Sequence, residues 1–115
     1  MEKNIKISCL LSFYGDFLTD KQLELMQLHY DDDLSLAEIA GRKGITRQGV
    51  HDALRRGEQV LENYESRLRL FERYLAVKNS LDGMNEFLKD NTTLSAAATE
   101  ELKARLKEAA EIWEM

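Results

Sequence analysis

The 115-residue chain contains no proline, one cysteine and two histidines, and almost no stretch with the alternating pattern of a β-strand. Each shortage excludes something. Without proline, long helices can run uninterrupted. A lone Cys9 cannot form an internal disulfide and gives no sign of secretion. It reads as a small packed residue. No apolar run approaches the roughly 20 residues that span a bilayer, and Met1 to Ser8 carries two lysines but no signal-peptide core. A cytoplasmic protein that does not insert into membranes is expected. Without strands, no glycine-rich phosphate loop can follow one. Neither histidine has a nucleophile at a useful spacing, so no catalytic residue is expected, and neither metal, cofactor nor small-molecule substrate. Asp31-Asp32-Asp33 invites a metal reading. It lacks the alternating ligand spacing and distal glutamate of a calcium loop, so it reads as a solvated turn, with His29 on the surface beside it.

What is present points to helices. The apolar fraction, 43%, is ordinary for a globular protein, and the length suits one domain with or without an extension. The net charge is −5, unevenly placed. Residues 34–56 hold five basic and two acidic side chains, or +3, which leaves −8 for the remainder. A single basic patch on an acidic body does not suit tight non-specific nucleic-acid binding.

That patch coincides with the most informative stretch, Ser35 to Arg56. Ser35 followed by Glu38 makes a capping box that starts a short helix at Leu36. Ile39 and small Ala40 lie on its inner side. Gly44 can take the left-handed conformation that turns the chain, Ile45 anchors the turn, and Thr46 caps a second helix with Val50, Ala53 and Leu54 inward. Cap, small residue, turn glycine, anchor and second cap together make a helix-turn-helix. Two features depart from that pattern. Gly41, Gly49 and Gly57 each cost about 1 kcal/mol relative to alanine inside a helix. Lys43 stands where an apolar residue would pack, its stem covering the core and its ammonium reaching water.

The flanks extend the helical pattern. Ile5 to Leu18 reads as a helix with Ile7, Leu11, Tyr14 and Leu18 inward and Leu10, Phe13 and Phe17 widening the face. Thr19 to Gln22 is a second capping box. It opens a helix with Leu23, Met26 and Tyr30 on one side, Leu25 and Leu28 in flanking gaps, and a break at the aspartates. After Thr46 an apolar seam runs through Val50, Leu54, Gly57, Leu61, Tyr64, Leu68, Phe71 and Leu75 at spacings of four and three. It predicts one long helix ending near Lys78, about 30 residues or roughly 45 Å, with a bend near Gly57. Glu58, Glu62, Glu65, Arg69, Glu72 and Arg73 would face water. An isolated helix cannot bury such a seam, so the first helix, the C-terminal helices or a second copy must cover it. Ser80 to Lys89 reads as a short helix with Leu81, Met84, Phe87 and Leu88 inward. Asn91-Thr92-Thr93 is a break, and Ser95 to Met115 is a terminal helix with Leu102, Leu106, Ala109, Ile112 and Trp113 as its stripe. The expected division is a helix-turn-helix domain over residues 1–60 and a helical extension over 61–115 for packing and self-association. Leu54, Leu61, Tyr64, Leu68, Phe71 and Leu75 form its seam in a homodimer.

The outward face of the second motif helix carries Arg47, Gln48, His51, Asp52 and Arg55. Arginine can contact guanine bidentately and glutamine adenine. Arg42, Lys43 and Arg56 suit phosphates. With Thr46, the candidate nucleic-acid contacts are Arg42, Lys43, Thr46, Arg47, Gln48, His51, Arg55 and Arg56. Any exposed helix would show polar residues there, and Asp52 would be repelled by phosphates.

Leu18-Thr19-Asp20-Lys21-Gln22, Leu28-His29-Tyr30, Ser35 to Ala40, and Thr46-Arg47-Gln48 with Val50 resemble region 4 of bacterial sigma factors. Phe13-Tyr14 and Val60 to Glu65 bring the chain closer to the YlxM family of small bacterial proteins. The resemblance covers roughly Leu10 to Tyr74. It implies an all-α, sigma region 4-like fold with a long continuing helix and C-terminal helices. It also implies a dimer and a role as regulator of, or accessory to, the signal recognition particle. Lys43 and Gly49 depart from the family pattern. Two functions follow as expectations. One is a nucleic-acid-binding regulator acting on DNA or signal recognition particle RNA. The other is a protein-interaction module that contacts the particle's GTPase without reading nucleic acid.

Overall fold

Side-chain caps set where the helices from Asp20, Leu36 and Arg47 begin. Thr19 Oγ1 accepts the Gln22 N–H at 3.2 Å while Gln22 Oε1 accepts the Thr19 N–H at 3.1 Å. Ser35 and Glu38 exchange the same pair of bonds, both at 3.1 Å, and Thr46 Oγ1 accepts the Gly49 N–H at 2.9 Å. Each cap satisfies backbone donors that a helix start leaves open and contributes about 1 kcal/mol. In the computed structural model, which describes residues 2–91 and 93–112, six α-helices follow: α1 Lys3–Tyr14, α2 Asp20–Met26, α3 Leu36–Lys43, α4 Arg47–Leu68, α5 Leu70–Asp90 and α6 Ala96–Ile112. No strand occurs among the described residues. Contacts divide the chain into two units, Met1–Phe71 and Glu72–Met115.

In the first unit α4 is the central element, and α1, α2 and α3 all pack against it. The core comprises Ile7, Leu10, Leu11, Tyr14, Leu18, Leu25, Met26, Ile39, Ala40, Val50, Leu54, Leu61 and Phe71. The seam is thus covered from within the chain at Leu54, Leu61 and Phe71 while Leu68 stays exposed, and residues 61–71, expected in the extension, fall in the first unit. Gly57 sits on this seam where α4 meets the Met26 side chain at close range. A Cβ there would lie 2.8 Å from Met26 Sδ, and Met26 is fully buried.

Several expected boundaries move, each for a local reason. The first helix ends at Tyr14, and Gly15–Phe17 tightens into a 3₁₀ turn before extended Leu18, which is buried. Phe13 and Phe17 are exposed rather than core. The Phe17 ring stacks on Tyr64 with centroids 4.3 Å apart. The second helix widens into a π turn over Gln27–Asp31. Its extra residue per turn breaks the expected Leu23–Met26–Tyr30 face, and the buried pair is Leu25 and Met26. His29 is not a surface bystander: its Nδ1 donates to the Leu34 carbonyl at 2.8 Å and braces the turn. The three aspartates are exposed, and Asp31 accepts the Ser8 hydroxyl at 2.6 Å.

The long helix runs unbroken through Gly57 and ends at Leu68, not near Lys78. It breaks at Arg69, which takes the left-handed conformation at φ 55°. Tyr14 and Glu65 build the break. Tyr14 Oη donates to Glu65 Oε1 at 2.7 Å and accepts the Leu70 N–H at 3.1 Å, and the same Glu65 oxygen accepts the Phe71 N–H at 3.0 Å. Two open donors at the start of α5 are thereby satisfied, so Glu65 is a structural acceptor rather than a solvated charge. Burial, and then the bond to Glu65, raise the Tyr14 pKa. Glu58, also expected in water, accepts the Tyr30 hydroxyl. Burial and that carboxylate raise the Tyr30 pKa as well.

In the second unit, the stretch expected as a separate helix from Ser80 belongs to α5. Met84 is buried there, while Leu81 and Leu88 are exposed. Ser95 Oγ accepts the Ala98 N–H at 3.1 Å at the start of α6. The Arg105 guanidinium lies over the Phe87 ring, 5.3 Å from its centroid. Of the expected α6 stripe, Leu106 is exposed and Leu102, Ala109 and Ile112 are half-buried; Trp113 lies outside the described residues. No helix among the described residues is long and apolar enough to cross a membrane.

Candidate nucleic-acid interface

The turn between α3 and α4 is held from both sides. Gly44 takes φ 66°, ψ 33° and donates its N–H to the Ala40 carbonyl. The Ile45 N–H reaches the same carbonyl at 3.2 Å. With Thr46 extended and capping, α4 leaves the turn with Val50 and Leu54 in the core and Arg47, Gln48, His51 and Arg55 exposed. At the start of α3 the Ser35 backbone N–H, and then its hydroxyl, hold the Glu38 carboxyl below its ordinary range.

The candidate contact residues fall into distinct environments. Arg42, Arg47, Arg55 and Arg56 are exposed. The Lys43 ammonium does not simply reach water, because it pairs with Glu24 of α2. The Thr46 hydroxyl serves as the helix cap. Gln48 Nε2 donates to Asp52 Oδ1 at 3.0 Å, and His51 Nδ1 lies 3.6 Å from the same oxygen. The middle of this exposed face is therefore occupied by an internal acceptor one turn along. Of the seam residues, Leu54, Leu61 and Phe71 are core, Tyr64 and Leu75 are half-buried, and Leu68 is exposed.

Sequence reasoning missed the residues that α1 brings to this face. A groove of about 450 Å³ is lined by Lys3, Tyr30, Leu36, His51, Arg55 and Glu58, among others. A neighbouring hollow of about 410 Å³ shares Leu36 and His51 and adds Arg47 and Gln48. Lys3 Nζ lies 3.3 Å from Glu58 Oε2. Lys3 and Arg55 are 52 positions apart, so no local spacing could have paired them. Among the described residues no group of three His, Cys, Asp or Glu side chains is placed to hold a metal ion.

A short helix, a left-handed glycine turn and a capped second helix with its polar face outward define an all-α helix-turn-helix protein. Known proteins place the chain further. It belongs to the family described as "Putative helix-turn-helix protein, YlxM / p13 like", whose model matches residues 1–105. It is similar to a UPF0122 protein of Clostridium acetobutylicum, 51% identical over 74 residues, which are 64% of either chain. It is also similar to the UPF0122 protein YofM of Lactococcus lactis, 45% identical over 93 residues and 81% of either chain. A UPF0122 protein of Lactiplantibacillus plantarum is 40% identical over 91 residues, 79% of either chain.

Proposed function

We propose that this protein is a nucleic-acid-binding regulator whose reading head is the exposed face of α4, acting as an accessory of the signal recognition particle. The observation that carries this reading is the presentation of Arg47, Gln48, His51 and Arg55 on a helix whose start is fixed by the Thr46 cap and left-handed Gly44. Arg47 and Gln48, in the first turn, are at the end that enters a major groove in helix-turn-helix complexes. Arg42 and Arg56 add phosphate contacts. Residues 1–60 carry recognition, and the extension carries self-association. Leu81 and Leu88, seven residues apart on α5 and exposed by 50% and 40%, support a homodimer. Light scattering at micromolar concentration is expected to give twice the chain mass of 13.3 kDa. A mass equal to one chain sinks the dimer.

Asp52 favours a second reading, a protein-interaction module that contacts the particle's GTPase, because it engages Gln48 and sits where phosphates would approach. Fluorescence anisotropy across a salt series separates the two, with labelled random duplex DNA, signal recognition particle RNA and the particle's GTPase as ligands. The reading-head function predicts nucleic-acid binding with a steep salt slope that the Arg47→Ala/Arg55→Ala variant loses at unchanged melting temperature. Binding to the GTPase alone supports the second reading. An isotherm unchanged in the double variant rules out this face.

A further inference from the structure

We propose that the groove between α1 and α4 is a backbone-phosphate site that extends the nucleic-acid interface onto α1, with Lys3 as its outer cation. This rests on the reading of α4 as the nucleic-acid contact and adds a second element to it.

The groove has the charge, the floor and the continuity that a phosphodiester requires. Its walls bring Lys3 from α1 to Arg55 and His51 from α4, and its floor includes Leu36 and Leu54. One carboxylate, Glu58, faces it. That side chain is 18% exposed and already engaged, by the Tyr30 hydroxyl on one oxygen and by Lys3 on the other. Lys3 and Arg55 outweigh it by one positive charge before His51 is counted, so an anion is favoured over a cation. Glu58 also explains why a terminal lysine sits here. Its Oε2, 3.3 Å from Nζ, holds Lys3 at the mouth of the groove, and Lys3 remains 70% exposed and able to reach outward. The neighbouring hollow, which shares Leu36 and His51, leads directly to Arg47 and Gln48. From Arg47 to Glu58 the path along α4 is about 16 Å. A single nucleic-acid ligand seated on the α4 positions can therefore also reach Lys3. Lysine is a point charge without the planar fork that reads base edges, which suits a phosphate contact and not sequence reading.

The test uses the full chain and anisotropy with two labelled probes, a random-sequence DNA duplex and signal recognition particle RNA, in a salt series. Lys3→Gln is expected to weaken binding about eight-fold at 0.1 M salt, equally on all duplex sequences, and to reduce the slope of log affinity against log salt by about 0.9. Glu58→Gln keeps an acceptor for Tyr30 while removing the competing charge, and is expected to tighten binding. The probe on which both effects occur identifies whose phosphate the groove takes. A slope unchanged by Lys3→Gln, while Arg47→Ala, outside the groove, still abolishes binding, overturns the groove and leaves the α4 reading intact. Binding that survives Arg47→Ala but responds to Lys3→Gln overturns the α4 reading instead. No binding of the wild-type chain to either probe overturns both.

Discussion

In Met1–Phe71, helices from distant parts of the sequence interlock on α4, and Ile7, Leu10, Tyr14, Met26, Ile39, Val50 and Leu61 have no exposed surface. In Glu72–Met115 the buried apolar side chains among the described residues are Met84 and Ala98, each with some surface left exposed, while Leu81, Leu88, Leu94 and Leu106 are exposed. Both regions are helical and both carry regular leucines. The difference lies in who covers the apolar face. Four helices at different angles can enclose a seam, whereas two helices leave much of theirs in water. Helical periodicity therefore states that a face exists, and only the number of neighbouring elements decides whether it becomes a core.

The comparison can be broken by substitution. Leu61→Ala removes a fully buried side chain from the middle of α4 and should cost about 3 kcal/mol, read as a lower urea midpoint. Tyr14→Phe removes the hydroxyl that joins Glu65 to the Leu70 N–H and should cost about 1–2 kcal/mol. The same network predicts a pH effect. Tyr14 and Tyr30 hold their protons more tightly when folded, so unfolding releases protons once pH exceeds about 10. Stability is then complete below pH 10 and falls as pH rises above it. A double Tyr14→Phe/Tyr30→Phe variant should lose that alkaline dependence in thermal melts at stepped pH. Leu106→Ala, at a side chain 52% exposed, should cost less than about 0.5 kcal/mol. A loss there as large as at Leu61 would mean that the second unit's face is covered, as in a dimer.

The sequence by itself determined the local features: both capping boxes, the Thr46 cap, the Gly44 turn, and the inward Val50 and Leu54 of the motif. These are legible because each depends on residues within four positions of one another, where side-chain chemistry and helix geometry suffice. The exposure of Arg47, Gln48, His51 and Arg55 follows from the same periodicity. Tertiary structure alone decided the rest. Leu25, not Leu23, is the α2 leucine buried in the core, and the helix widens into a π turn over Gln27–Asp31. Arg69, not Gly57, breaks the long helix, because Tyr14, 56 residues before Leu70, caps the next one. Gly57 meets the Met26 side chain at close range. Lys43 and Glu24 pair across two helices, and Lys3 of α1 reaches Glu58 of α4. None of these has a local signature, since each partner is set by how helices cross and not by spacing along one of them.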